Sequence, residues 1–159
     1  MFVVSNYNFV NNQVQKSRSF TQNYTGSVRS IFKKGPNFEF GYRLNRNEYE
    51  NGPRVQQVFY THRPYFNTDV RFLKHFTFDA EWDYYNYTNQ ENTIENRYSF
   101  VNANLYYKKG DSPWEFQLQG TNLLNTSFLN NDSFNEQFNS TTQYFVLPRI
   151  VMLILRYEL

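Results

Sequence analysis

The densest group of chemically active residues is a set of three acids at every second position of one segment. Asp79, Glu81 and Asp83 share a face if the segment is a strand, spaced about 7 Å apart. Two carboxylates at that distance do not share a proton unless neighbouring strands contribute, and Asp69 and Arg71 are the candidates for that neighbourhood. Such a cluster could bind a cation or could hydrate the interior of a large barrel. We interpret it as the lining of a wet interior.

Other reactive groups are sparse. The chain has no Cys, which excludes disulfides, thiolate metal sites and cysteine nucleophiles. His62 and His75 are the only histidines, and neither a nucleophile elbow nor a phosphate-binding glycine loop accompanies them. A net charge of +2 is not the signature of a polyanion-binding protein. We therefore expect no enzymatic activity, no cofactor, no metal and no nucleic-acid partner.

The composition favours β-structure in one domain of 159 residues, because 21% of the residues are aromatic while alanine occurs only at positions 80 and 103. No apolar run reaches the roughly 20 residues of a transmembrane helix, but a transmembrane strand needs only about 9–11 residues with one apolar side. Period-two alternation is clearest in FTFDAEWDYYNY, WEFQLQG and NFEFGYRLN. About eight strands follow, at residues 1–10, 26–32, 37–45, 66–72, 76–87, 101–107, 114–120 and 148–159.

The connections alternate in length, which is typical of an up-and-down meander. Short links are predicted at residues 33–37, 73–75 and 108–113, and long links at 11–19, 45–57, 87–97 and 122–142. A three-residue turn at 73–75 pairs Phe72 with Phe76, and a five-residue turn places Phe32 opposite Phe38. In both hairpins the apolar faces coincide.

The two faces of this sheet need different media. The apolar side chains are bulky for a narrow barrel interior, and aromatic residues gather toward the strand ends as they do at membrane interfaces. We therefore predict a transmembrane β-barrel or part of one, while a soluble barrel of lipocalin type remains an alternative. The predicted lumen-facing residues are Asp69, Arg71, Asp79, Glu81, Asp83, Glu115 and Gln117. The predicted lipid-facing residues are Phe38, Phe40, Phe76, Phe78, Trp82, Trp114, Phe116 and Leu118.

Three stretches carry a family resemblance: YTGSVRSIFKKGPNFEFGYR (24–43), DSPWEFQLQGTNLLNT (111–126) and QYFVLPRIVMLILRYEL (143–159). From about Phe20 to Leu159 the chain resembles the carboxy-terminal portion of Bacteroidetes-type TonB-dependent receptors and the related outer-membrane β-barrel family. TNLLNT is similar to a penultimate-strand signature of that family. The ending resembles the strand that directs barrel insertion, carried here by Leu155, Tyr157 and Leu159, although the family usually ends in Phe or Trp.

The resemblance implies a parent receptor with a plug domain and some 22 strands, of which residues 1–159 would form a single β-barrel segment. The implied location is the bacterial outer membrane, and the implied role is import of a nutrient without catalysis. The implied partners are the lipid bilayer, the barrel-insertion machinery, and the remaining barrel and plug of the receptor. The alternative within the membrane class is a small self-closed eight-stranded protein of structural or adhesin-like role.

Overall fold

A computed structural model describes residues 2–10, 13–33, 35–51, 55–134 and 139–158, and they form an all-β structure. No helix in these ranges is long and apolar enough to cross a membrane. The strands are β1 (Phe2–Val10), β2 (Gln13–Arg29), β3 (Asn37–Asn51), β4 (Val55–Phe72), β5 (Phe76–Asn89), β6 (Glu95–Lys108), β7 (Trp114–Thr121), β8 (Phe128–Phe134), β9 (Asn139–Phe145) and β10 (Ile150–Tyr157).

Eight of these strands form one antiparallel sheet in the order β1-β2-β3-β4-β5-β6-β7-β10. The predicted eight-stranded meander is therefore confirmed. The sheet is open, with β1 and β10 as its edge strands, so closure into a barrel is not part of the observed fold. β8 and β9 pair separately as a hairpin inserted between β7 and β10.

One of the two predicted hairpin registers is confirmed and the other is wrong by two residues. Phe72 pairs with Phe76 as expected. In the first hairpin Val28 lies opposite Phe40, and the backbone N–H of Ser30 donates to the carbonyl of Phe38. Asn37 holds the wider turn by accepting from the backbone N–H of Phe32 at 2.7 Å. Because the shift is an even number, both faces keep their residues.

The predicted long links are mostly strand. β3 and β4 together continue through most of 45–57, β2 begins within 11–19, and the link between β5 and β6 shortens to residues 90–94. The predicted link at 122–142 contains β8 and β9. The sequence pattern missed these extensions because apolar and polar residues do not alternate regularly in them, whereas backbone pairing with a neighbouring strand does not require such alternation.

The positions of the turns at the short-link end shift steadily along the sheet from one hairpin to the next, which allows the strand tilt to be estimated. Arg29, Asn67 and Asn102 lie on one row of paired residues. The midpoint of the first short turn, residue 33, lies four residues beyond Arg29. The midpoint of the second, residue 74, lies seven residues beyond Asn67, and that of the third, residue 111, lies nine residues beyond Asn102. From the first turn to the third, this offset grows by five residues, each rising about 3.4 Å, across four strand spacings of about 4.8 Å. If the three turns lie in one plane, the strands are tilted by roughly 40° relative to the normal of that plane. Barrel strands tilt by about 35–45°.

Candidate functional site

The sheet separates its side chains into two faces of opposite character. The registers place all eight predicted lipid-facing residues on one side, the apolar face, and all seven predicted lumen-facing residues on the other, the polar face. On β10, Leu155 and Tyr157 lie on the apolar face opposite Phe116 and Trp114. Leu159 lies outside the described residues. The cross-strand pairing thus joins residues that the sequence pattern could group only strand by strand.

The apolar face is the more exposed of the two around β7. Phe116 and Leu118 are 38% and 46% exposed, whereas Gln117 between them is 5% exposed. Val58, Phe59, Tyr65 and Tyr87 are the only buried hydrophobic residues in the described part of the chain. The sheet therefore has no apolar core of its own at the level of the short turns, and its apolar face needs a partner medium or surface.

The apolar face has a defined height, which we call the apolar band. On β5 the band runs for nine residues, from Phe76 to Tyr84, and then the same face turns polar at Asn86 and Thr88. The same change occurs on β3 after Leu44. Above the band this side of the sheet carries ion pairs between Arg46 and Glu48, between Arg97 and Glu95, and between Arg18 and Glu50.

Arg46 illustrates the charged character of the region above the band. Hydrogen bonds to Tyr60 and then to Glu48 hold the pKa of its guanidinium above its ordinary value. Glu48 lies 2.6 Å away on the same face. This charge-assisted pair lies on the face that carries the apolar band, just beyond Leu44 on β3.

The polar face carries a hydrogen-bond chain across four strands. Asn104 donates to Asp79 at 2.8 Å, and Gln117 donates to Asn104 at 3.3 Å. Arg156 donates to Gln117 at 3.1 Å and to Glu115 at 2.9 Å. Each amide therefore bridges two neighbouring strands, and the chain from β5 to β10 presents polar atoms to one side.

The predicted acidic cluster is only partly assembled. Glu81 accepts from Asn102 at 2.7 Å, and Asp69 lies directly opposite Asp79. Among the described residues Arg71 forms no ion pair with either acid; it lies opposite Thr77, two residues along the strands from the Asp69–Asp79 pair. Asp83 lies opposite Tyr65. Like charges directly opposite each other on a sheet repel, so this pair is more compatible with contact to solvent than with a dry site.

Tyr85 and Tyr87, two of the aromatic residues near the strand ends that were predicted to form a membrane-interface belt, lie instead in an aromatic cluster on the polar face. Phe59 stacks on Tyr87 with ring centroids 5.5 Å apart, and Tyr49 meets Phe59 edge-on at 6.3 Å. Tyr85 stacks on Tyr98 at 4.6 Å. Extending the alternation of β5 beyond Tyr84 would have assigned both Tyr85 and Tyr87 to the polar face. The cluster offers flat rings beside amides, which suits planar or sugar-like solutes as well as it suits packing.

Gly41 and Tyr65 form a second unpredicted contact on the polar face. The two residues are paired across β3 and β4, and a Cβ at Gly41 would lie 2.2 Å from Cζ of Tyr65. The Tyr65 hydroxyl donates to Glu39 at 2.8 Å, and the guanidinium of Arg43 lies 4.5 Å from the ring centroid. Because Gly41 has no side chain, the buried ring of Tyr65 fits against its backbone, where it contacts both Glu39 and Arg43.

The TNLLNT motif forms a buried polar clamp where β7 ends. Asn122 is 3% exposed, and its side-chain amide donates to the carbonyls of Thr126 and Leu147 at 2.8 and 2.9 Å. Its Oδ1 accepts from the N–H of Thr126 at 2.9 Å. Asn122 and Asn125 both have positive φ, 51° and 56°, a region that asparagine tolerates better than most residues. The clamp thus fixes both the exit to the β8–β9 hairpin and the return toward β10.

The histidines are not brought together. His62 lies at the upper margin of the apolar band, opposite Leu44, and hydrogen-bonds to Tyr42, whereas His75 lies in the short turn between β4 and β5. The ranges covered by the structure contain no group of three or more His, Cys, Asp or Glu side chains that could hold a metal ion. The arrangement separates a hydrogen-bonding face from an apolar one.

No family model, curated protein or solved structure matches the chain.

Proposed function

We propose that the chain forms part of the wall of an outer-membrane β-barrel transporter of the TonB-dependent receptor type. In this proposal the apolar face contacts acyl chains, the polar face lines an aqueous lumen, and the chain performs no catalysis. The receptor assignment depends on the resemblance of the TNLLNT motif and of the ending with Leu155 and Tyr157. The membrane assignment depends on the geometry of the sheet.

The observation that carries the membrane assignment is the apolar band, whose side chains are mostly exposed on β3, β7 and β10 and half-buried on β5. Its nine residues on β5 are close to the roughly 9–11 residues that a tilted strand needs to cross a bilayer. If the short turns share a plane, the resulting strand tilt of roughly 40° lies within the range of outer-membrane barrels. Trp114 and Tyr157 lie at the lower margin of the band, with ring centroids 4.8 Å apart, and Tyr84 lies at the upper margin. Aromatic residues at both margins are typical of interfacial girdles.

A soluble barrel is the less favoured interpretation. Its apolar face would be buried in the interior of the barrel, and its polar face would be exposed to water. Here Gln117 is covered and Phe116 is exposed. A small self-closed membrane barrel is the second candidate. The eight-stranded sheet favours it, since eight is the smallest common strand number of closed outer-membrane barrels.

The two tryptophans of the chain provide the test, because Trp82 and Trp114 both lie on the apolar face. We expect the chain, refolded into phosphatidylcholine vesicles, to have fluorescence that a quencher on the acyl chains reduces strongly and that aqueous acrylamide reduces weakly. Single-tryptophan variants W82F and W114F report the two ends of the band separately. Trp82 hydrogen-bonds to Ser99 at 2.8 Å, so W82F also removes one polar contact and W114F is the cleaner variant.

Strong quenching by acrylamide and weak quenching by the lipid-borne group at both tryptophans would overturn the membrane assignment. A chain that stays monodisperse in buffer without detergent would do the same. Migration that differs between heated and unheated samples on a gel is the expected behaviour of a folded membrane barrel.

A further inference from the structure

Two arginines lie directly opposite each other on the polar face. Arg43 on β3 and Arg63 on β4 are paired across the sheet, and both side chains are exposed. Neither arginine forms an ion pair with an acid in the part of the chain that the structure describes. Like charges that face each other on a sheet are destabilising, so an anion bound between the two guanidinium groups would relieve their repulsion.

Two tyrosines continue the row of these arginines. Pairing of β4 with β5 is interrupted at Arg63 and Pro64, because a proline has no N–H to donate. The pairs on either side of the interruption set Arg63 level with Tyr85. Tyr85 is paired with Tyr98, and their rings stack with centroids 4.6 Å apart. Four residues therefore lie level across β3 to β6, and we call them the arginine row: Arg43, Arg63, Tyr85 and Tyr98.

The guanidinium of Arg43 is positioned by the ring of Tyr65. It lies 4.5 Å from the ring centroid, and the Tyr65 hydroxyl is fixed in turn by its hydrogen bond to Glu39 at 2.8 Å. A guanidinium stacked on an aromatic face keeps the N–H donors at its edge available to a third group. The side-chain hydrogen bonds that arginines donate within the described ranges come from Arg46 and Arg156, so the donors of Arg43 have no acceptor there.

The charges of the polar face are separated by height. Above the arginine row, the described side chains of this face on β2 to β6 are uncharged, and they include Asn45, Thr61 and Tyr87. The acids lie below the row, where Asp83 is diagonal to Arg63 without forming an ion pair with it. An anion that approaches from the long-loop end therefore meets two cations before it meets a carboxylate on these strands.

The acidic pair lower on the same face differs from the arginine pair. Asp69 also lies opposite a like charge, Asp79, but Asn104 already donates to Asp79 at 2.8 Å. The arginine row instead combines unoccupied donors, a positioned guanidinium and flat rings at one height. Guanidinium groups bind carboxylate and phosphate oxygens through paired hydrogen bonds, and aromatic rings contact planar groups.

We propose that the arginine row is a binding site for an oxyanion, a carboxylate or a phosphate, that is carried on a planar group. Arg43 and Arg63 donate to the oxyanion, and Tyr85 contacts the planar group. This inference rests on the proposed function where it assigns the ligand, because in a barrel wall the polar face lines the lumen and the ligand is then a solute of the transporter.

Ligand-observed fluorine NMR tests the site with three small probes. Two are anionic, para-fluorobenzoate and para-fluorophenyl phosphate, and the third is the uncharged para-fluorobenzamide. The variants R43Q and R63Q each remove one positive charge from the row. R71Q is the matched control, because Arg71 is exposed on the same face of β4 and lies opposite Thr77 rather than another cation.

We expect the parent chain to bind the two anionic probes and not the benzamide. R43Q and R63Q should each weaken binding by about tenfold, as expected for the loss of one charge-assisted hydrogen bond, and R71Q by less than about twofold. Added salt should weaken binding, because both guanidinium groups are exposed. Inorganic phosphate should compete with the phenyl phosphate, and Y85L should weaken binding of the phenyl phosphate but not of inorganic phosphate.

Four results would overturn the site. They are equal losses in R63Q and R71Q, binding that R43Q and R63Q leave unchanged, benzamide binding as strong as benzoate binding, and an affinity that does not respond to salt. Unchanged binding of the phenyl phosphate to Y85L overturns the contact with a planar group. Binding of only one of the two anionic probes supports the site and identifies its oxyanion as a carboxylate or as a phosphate.

The NMR samples are the vesicle preparations in which the tryptophan quenching has already been recorded. Lipid quenching without arginine-dependent binding removes the site and leaves the membrane function standing. Arginine-dependent binding without lipid quenching supports the site and overturns its assignment to the lumen of a membrane barrel.

Discussion

The clamp at the end of β7 permits a quantitative prediction about one side chain. N122A removes three hydrogen bonds made by the Asn122 side chain, two to the carbonyls of Thr126 and Leu147 and one from the N–H of Thr126. A buried polar group left without a partner costs about 1–3 kcal/mol. An alanine at φ 51° adds about 1 kcal/mol of backbone strain. Partial rehydration offsets some of these costs, and we expect a loss of about 3–5 kcal/mol in the free energy of unfolding.

Asn125 provides the matched control. It also has a positive φ, but it is exposed and its Oδ1 accepts one hydrogen bond, from the N–H of Arg149 at 3.1 Å. N125A should therefore cost about 1–2 kcal/mol. Glycine at position 122 tolerates the positive φ, so N122G should be less destabilised than N122A by about 1 kcal/mol.

Urea unfolding followed by tryptophan fluorescence measures the global effect, and amide exchange measures the local one. In N122A the amide of Thr126 should exchange much faster, because its acceptor is gone, while amides in the middle of β5 keep their protection. The reasoning fails if N122A is no less stable than N125A. It fails equally if the Thr126 amide keeps its protection in N122A.

Three further predictions follow from the two faces and the region above the band. G41A should destabilise the sheet by about 1–3 kcal/mol through overpacking against Tyr65, whereas G26A, whose added Cβ would meet no atom within 4 Å, should be nearly neutral in the same unfolding assay. F78D should reduce insertion into vesicles and D79L should not; the opposite result would show that the faces are reversed. Burial raises the pKa of Tyr49 above its ordinary value near 10, although a hydrogen bond with Ser19 partly opposes this. The folded state then resists ionisation, so stability should fall as the pH rises above about 10, and a pH titration of unfolding should show a shallower fall in Y49F.

The alternation of apolar and polar residues was sufficient to predict the main sheet. It identified eight strands in meander order and grouped residues such as Phe76, Phe78 and Trp82 correctly on one face, because side chains alternate along every strand. It also predicted the turn between Phe72 and Phe76, where a three-residue loop leaves only one register with matching faces. The predicted register of the first hairpin was wrong by two residues, because that register depends on hydrogen bonds of Asn37 and Ser30 that alternation does not encode.

Other features were decided only by the tertiary structure. The strand extensions above the band, such as Asn45 to Asn51, have no apolar alternation and exist because a neighbouring backbone pairs with them. The Asn122 clamp joins carbonyls of Thr126 and Leu147, and the second of these is 25 residues away. The polar chain from Asp79 to Arg156 likewise needs four strands in register. Local sequence determines which way a side chain points along its own strand, whereas the neighbours it meets depend on pairing across the sheet.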